Sequence, residues 1–465
     1  MASRSYSLSP ENFRNQHFIN GEYVASTSTE TFTLYNPKDG SVVVDSMAIA
    51  CPDDIDAAVK SAEAAYNGAW SKFSGVQRAA CLHKLGDLLE DRLLEILTLD
   101  SLTTGNPVSL IPTREKNYIK GCLTYYAGWT DKQRGDYFPA DDGFVKLVRH
   151  EPLGVCVAIN PYNSPVASFI LKAAPCLATG NVLIVKPSEK GPLGSLALAP
   201  LFEEAGFPRG VVQVVSGTGQ TGALLAAHMR VRKISFTGSV ATGRKIQIAA
   251  AQSNLKRVTL ELGGKSPAII FEDANIENAL TWTLNGILAR SGQVCVAASR
   301  VYVQKSIAGA FIGQYKGKMN AAVERIGDPQ NAATVMGPLA DQAAFERVQQ
   351  MIERGRNEAE LVVGGVRHGD QGYFIEPTVF LNLKKDAQIY TDEVFGPVAV
   401  VKTFETEEEV LEMANNTEFG LMAGVFTKDI TRAMRVSAKV DSGVVGINCV
   451  SYVSLMHHNT CGRGS

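Results

Sequence analysis

After Arg149 the sequence falls into short apolar runs, VCVAIN, NVLIVK, VVQVVS, KISFTG and SPAIIF, each separated from the next by a segment long enough for a helix. Strand and helix in such alternation build parallel βαβ units. Because the runs are almost wholly apolar or β-branched, their strands are predicted to be covered by helices on both faces. Loops beyond the C-terminal ends of strands in such a sheet are where ligands are held. A second alternating series, RVYVQK, AELVVGG, GPVAVVKTF and GVFTK, follows residue 300, so a second α/β domain is expected to begin near residue 260. Upstream, Pro52 and an acidic start open a helix that carries Ile55, Val59, Ala62 and Tyr66 at helical spacing. Leu82, Leu85, Leu89, Leu93 and Ile96 mark a second helix. At 465 residues the chain exceeds what one core supports, and two or three domains are expected. It shows no internal repeat and no low-complexity linker.

Composition narrows the function classes. With 45% hydrophobic and 20% charged residues and 42 glycines, the chain reads as a soluble α/β protein. The 45 Lys and Arg against 47 Asp and Glu leave a formal charge of −2, so no basic field favours nucleic acid or anionic lipid as a partner. The start, MASRSYSLSPENFRNQ, has no apolar h-region, and no stretch reaches bilayer-spanning length. No membrane association and a cytoplasmic location are expected. The eight cysteines, at 51, 81, 122, 156, 176, 295, 449 and 461, form no CxxC pair and are read as reduced thiols. No metal site is expected, since His457, His458 and Cys461 lack a preceding ligand pair.

Gly217, Gly219 and Gly222 in SGTGQTG match GxGxxG between a strand-like and a helix-like segment, the context of a dinucleotide loop. The acid that should follow about twenty residues on is missing, because no Asp or Glu occurs between Glu204 and Glu261. These glycines are read as a turn.

Cys295 stands in SGQVCVAASR among small neighbours that leave its sulfur open, downstream of Glu261 in ELGGKSP. A lone Cys is ordinarily an inert core residue. Taken in order, however, the strings EPLGVCVAINPYNSP, NVLIVKPSE, ISFTGSVATG, VTLELGGKSP, GQVCVAASR and TDEVFGPV resemble the aldehyde dehydrogenase superfamily, from FINGEYV near residue 18 to about residue 453. The resemblance implies an α/β protein with a doubly wound Rossmann-like coenzyme domain (residues 1–122 and 146–258). It further implies a second α/β catalytic domain (259–435) and a small β oligomerisation arm (123–145 and 436–465).

By the same resemblance Cys295 is the nucleophile that attacks an aldehyde substrate, giving a thiohemiacetal and then a thioester. The Asn163 amide and the Cys295 backbone N–H match the oxyanion donors. Glu261 matches the general base for hydrolysis, and its presence favours release of free acid over transfer to coenzyme A. For the cofactor, Gly238 and Ser239 match a phosphate-contacting turn at a helix N-terminus. Lys186 and Glu189 match the adenosine ribose contacts, with Glu189 placed to repel a 2′-phosphate, so NAD is favoured while NADP stays possible. Glu393 and Phe395 match the residues around the nicotinamide.

Two departures from the family stand out. Tyr162 and Ser164 occupy positions where the family usually has tryptophan and often phenylalanine, which predicts a roomier, more polar substrate channel. After INCVSYV the chain ends LMHHNTCGRGS instead of the family's closing segment, as a truncated or mis-spliced gene product would. A homodimer or homotetramer is implied unless that altered C-terminus prevents it. The competing readings are a catalytically impaired relative that retains nucleotide binding, and a relative that passes the acyl group to another acceptor.

Overall fold

The computed structural model describes residues 13–110, 115–384 and 386–451; His457, His458, Cys461 and the divergent ending lie outside the described residues. Two hairpins open the fold, β1 (His17–Ile19) with β2 (Glu22–Val24), and β3 (Thr31–Tyr35) with β4 (Val42–Ala48). Helix α1 (Pro52–Asn67) follows where its spacing predicts, burying Ile55, Val59 and Ala62. In α2 (Gly75–Thr104) the five apolar positions of the second helix are all buried. Ser74 accepts the Gln77 N–H while the Gln77 side chain accepts the Ser74 N–H, and Gly105 at φ 74 stops the helix.

Helix α3 (Lys116–Ala127) packs on α2 and leads into the hairpin β5 (Asp136–Phe138) and β6 (Lys146–Val148). Both strands are exposed throughout, Tyr137, Phe138, Leu147 and Val148 included.

The first alternation then runs β7 (Val155–Ile159), α4 (Pro165–Ala178), β8 (Val182–Lys186), α5 (Leu193–Glu204), β9 (Val212–Val214), α6 (Gly219–Ala227), β10 (Lys233–Thr237), α7 (Val240–Gln252) and β11 (Arg257–Glu261). Its sheet has the order β11-β10-β7-β8-β9-β1-β2, parallel from β11 to β9. β7 and β8 are buried along their full length, as continuous apolar runs require. The chain moves outward from β7 through β8 and β9, then returns to the other side of β7 with β10. Strand order therefore reverses between β7 and β10, and a crevice opens there at the C-terminal ends.

The SGTGQTG loop lies after β9, away from that reversal. Gly217 sits at φ 151, and the Thr221 side chain fills the space a Cβ would need. The Thr221 hydroxyl donates to the Ala50 carbonyl at 3.1 Å and the Ser216 N–H to His17 Nδ1 at 3.1 Å, so the N-terminal segment packs onto this loop. The geometry is that of a packed turn.

The second alternation comprises β12 (Pro267–Ile270), α8 (Ile276–Leu288), β13 (Arg300–Gln304), α9 (Ala308–Ala321), α10 (Gln342–Glu358), β14 (Glu360–Val363), β15 (Thr378–Leu381), α11 (Gln388–Thr391), β16 (Val398–Phe404), α12 (Glu407–Asn415), β17 (Met422–Phe426), α13 (Ile430–Ser437) and β18 (Val444–Ile447). Their sheet order is β14-β15-β16-β13-β12-β17-β18, with β14 alone antiparallel. The first sheet thus continues past residue 258 to Glu261, the outer hairpin past residue 145 to Val148, and residues 444–447 join the second sheet. Each sheet has its own apolar core. No helix among the described residues is long and apolar enough to cross a membrane.

Gly217→Ala is expected to lower the melting temperature, because a side chain at this φ meets Thr221, while leaving the affinity for NAD unchanged. Loss of NAD binding in a still-folded variant would return this loop to the cofactor site.

Candidate active site

Four strand ends of the first sheet face the crevice. β7 ends before Asn160, which is 3% exposed and whose side-chain oxygen and nitrogen both lack a partner among the described residues. β8 ends at Lys186, whose Nζ lies 3.1 Å from Glu189 Oε2. Burial lowers the Lys186 pKa, and Glu189 opposes that shift; burial raises the Glu189 carboxyl, but Lys186, a backbone N–H and Lys190 together outweigh it and lower the acid's pKa. After β10, Ser239 caps α7 by accepting the Thr242 N–H at 3.3 Å. The first turn of α7 therefore starts beside the strand reversal, where a helix N-terminus suits a phosphate. The Gly238 N–H donates to the Glu261 carbonyl at 3.0 Å, tying this turn to the end of β11. Unpartnered polar atoms, a buried lysine and a capped helix start at one crevice fit a dinucleotide.

The opposite wall comes from the second sheet, from the loops that precede β13 and β16. Gly264, in the loop after Glu261, lies against the Cys295 carbonyl so closely that a Cβ would collide with it. Its N–H donates to Glu393 Oε1 at 3.0 Å, and the Glu393 carboxylate fills the space beside Gly263. The ELGG glycines are small because two other segments occupy the side-chain space.

Asn163 is 8% exposed, and its Nδ2 donates to the Gln293 carbonyl at 2.8 Å, two residues before Cys295. One amide proton is thereby fixed and the other remains for a ligand. Asn106 Nδ2 holds the Asn163 carbonyl at 3.1 Å. Gln293 accepts the Tyr162 hydroxyl at 3.1 Å and the Ala340 N–H at 3.1 Å on its side-chain oxygen. The Tyr162 ring meets Phe395 edge-on at 6.0 Å, and Lys190 Nζ lies 4.6 Å above it. The polarity expected of Tyr162 toward a substrate channel is thus directed at Gln293.

Electrostatics around the sulfur are severe. Burial, then the Glu393 and Glu261 carboxylates, push the Cys295 thiol up to about 12, although its own and the Val296 N–H groups stabilise the thiolate. Glu261 is itself raised by burial, with Lys172 pulling the other way. Lys172 is buried in α4, donates to the Ser235 carbonyl at 3.1 Å and is brought down to about 7, chiefly by desolvation. Burial also raises Glu393, against its Gly264 hydrogen bond, Arg347 and Lys265. Among the described residues no hydrogen bond joins Cys295 to Glu261.

The structure therefore gathers Cys295, Glu261, Asn163, Glu393 and Phe395 around one seam, with Gly238, Ser239, Lys186 and Glu189 along the adjoining crevice. Sequence reading missed Lys172 and Gln293. A single lysine inside the apolar helix VASFILKAAPCLA was a usable signal, since a buried amine needs a reason to be there. Gln293 carried none, because its partners lie in distant segments. Among the described residues no group of three or more His, Cys, Asp or Glu is placed to hold a metal ion.

Crevice and seam together define a two-domain dinucleotide enzyme, and comparison with known proteins names its kind. The profile of the aldehyde dehydrogenase family matches residues 23–464. An aldehyde dehydrogenase from Emericella nidulans is 41% identical over 439 residues, 94% of this chain and 88% of its own length. A mitochondrial aldehyde dehydrogenase from Rattus norvegicus is 42% identical over 444 residues, 95% of this chain and 85% of its own. The NAD+ complex of an aldehyde dehydrogenase from Bacillus cereus superposes with a TM-score of 0.92 at 40% identity, covering 96% of this chain and 92% of that one. The chain belongs to the aldehyde dehydrogenase family and is an NAD(P)-dependent aldehyde dehydrogenase.

The raised Glu261 carboxyl sets a pH dependence. For a step that uses Glu261 as its base, that base is lost as pH falls through the raised value, so the acid limb of such turnover is expected above the ordinary glutamate value of 4.5. Lys172→Met removes the cation that lowers Glu261 and should move this limb to higher pH; a limb that stays put would disconnect Lys172 from Glu261.

Proposed function

We propose that this dehydrogenase oxidises its aldehyde through a covalent bond to Cys295 and releases a free carboxylic acid. The Asn163 amide anchored to the loop of Cys295, with Glu261 in electrostatic reach, is the observation that carries the reading. The Cys295 thiol gives its proton to solvent, and attack by the resulting thiolate forms a C–S bond and sends the carbonyl π electrons to oxygen. The free Asn163 N–H and the Cys295 N–H are the donors for that oxyanion, and removing one such donor typically costs about a hundredfold to a thousandfold in rate. Bound NAD supplies the hydride acceptor that turns the thiohemiacetal into a thioester. Glu261 then takes a proton from water as the water oxygen attacks the acyl carbon, and the C–S bond breaks to return the cysteine. Lys172 keeps part of the Glu261 population ionised despite burial. Burial and the Glu393 and Glu261 carboxylates favour the protonated form of the Cys295 thiol.

Lys186, Glu189, Gly238 and Ser239 would hold the adenosine and phosphate end of the cofactor, and Glu393 with Phe395 the nicotinamide end. An ionised Glu189 opposes a 2′-phosphate, so we read NAD as the preferred cofactor. The exposed apolar hairpin β5–β6 supports assembly into a homodimer or homotetramer, which a monomer in sedimentation would refute. A cytoplasmic location is proposed from the sequence; the relatives carry both cytosolic and mitochondrial names.

NADH absorbance after mixing with NAD or NADP and a panel of aldehydes tests the reading. Cys295→Ala should abolish turnover and keep NAD binding, whereas an equally active variant would remove the nucleophile assignment. Glu261→Gln should give a burst of about one NADH per site and then stall at the thioester. Loss of that burst would contradict the hydrolytic role.

A further inference from the structure

The turn that leads to Cys295 has an uncommon backbone. Arg290, Ser291 and Gly292 lie in succession in the left-handed region, at φ 50, 52 and 73. Residues with a Cβ adopt this region at an energetic cost, so two in a row persist only where surrounding contacts hold them. Gly292 is required, because a Cβ there would strike the Gly396 carbonyl. The Ser291 hydroxyl donates to the Gly337 carbonyl at 2.6 Å. The Arg290 guanidinium reaches Glu115 at the start of α3 and forms an ion pair whose side chains are 18% and 10% exposed. Breaking a pair this deeply buried strands the remaining charge.

The pair is connected to the reacting groups through one residue. Gln293 Nε2 donates to the Arg290 carbonyl at 3.1 Å, and the Gln293 carbonyl accepts from Asn163 Nδ2 at 2.8 Å. A contiguous path thus runs from Glu115 through Arg290 to Gln293, two residues before Cys295, and on to Asn163.

We propose that Arg290 and Glu115 are positioning residues for aldehyde oxidation: their ion pair holds the left-handed turn in the shape that aligns Gln293, Asn163 and the Cys295 sulfur. The proposal rests on the reading of Cys295 as nucleophile. Both act through the backbone of the turn. Their effect therefore falls on the chemical step and spares the cofactor crevice, which lies on the other sheet.

Steady-state and burst kinetics with NAD and one turned-over aldehyde test this. Arg290→Ala and Glu115→Gln should each lower kcat and the burst rate by about tenfold to a hundredfold, the scale of a small misplacement of reacting groups. The KM for NAD should move by less than about twofold, the signature of an interaction made in the chemical step rather than in binding. Arg290→Lys, which keeps the charge, should recover most of kcat. Unchanged kcat in both Arg290→Ala and Glu115→Gln overturns the proposal, as does a parallel loss of NAD binding. If Arg290→Ala fails to fold, Glu115→Gln, which keeps the side-chain size, decides by the same criteria. Cys295→Ala run alongside separates the two readings: an active Cys295→Ala defeats the nucleophile, whereas an inactive one beside fully active Arg290→Ala and Glu115→Gln defeats only the positioning role.

Discussion

The hydrogen bond from Asn163 Nδ2 to the Gln293 carbonyl spans the seam on which this enzyme depends. Each sheet buries its own apolar core, so apolar burial folds the two halves without fixing how their loops meet. Directional polar contacts must do that. Gln293 supplies them: its side chain and carbonyl engage Tyr162 and Asn163 from the first sheet and Arg290, Pro338 and Ala340 from its own side. The glycines at 263, 264 and 292 let backbone and carboxylate approach where any side chain would intervene. Close approach and directional bonding together confine the proposed nucleophile to one place.

The same closeness makes the seam electrostatically expensive. Cys295, Glu261 and Glu393 share a partly desolvated space, and each is shifted toward its protonated form by burial. Lys172 and Lys265 are buried nearby and brought down to about 7, chiefly by desolvation. Amines brought this low exchange protons near physiological pH, whereas the Cys295 thiol is moved away from it and must lose its proton against its burial before it can attack. Stability is given up for that readiness, since unpaired buried groups such as the Asn160 amide add nothing to folding.

Much of the architecture was legible before the coordinates. The runs at 155–160, 181–186 and 300–305 became buried parallel strands, and the leucine spacing of α2 became its core face. β11 escaped notice because RVTLE occupies a sheet edge, where burial is partial and the apolar signal weak. β18 escaped because VVGI, half-buried at the opposite edge, resembles a loop approach as much as a strand. The glycine motif at 217–222 was legible as a turn from the missing acid, and its packing against His17 and Ala50 supplies the physical reason.

By itself the sequence determined the periodicity, and through it the two alternating α/β series, because apolar burial acts on each segment locally. It also carried the ordered strings that mark the family, with Cys295, Glu261 and Asn163 among them. Tertiary structure alone decided which groups share space. Lys172 faces Glu261, Gln293 joins Asn163, and Arg290 meets Glu115 across separations of up to 175 residues. Such pairings depend on the mutual placement of two sheets, a property of their packing that no local pattern in the chain encodes.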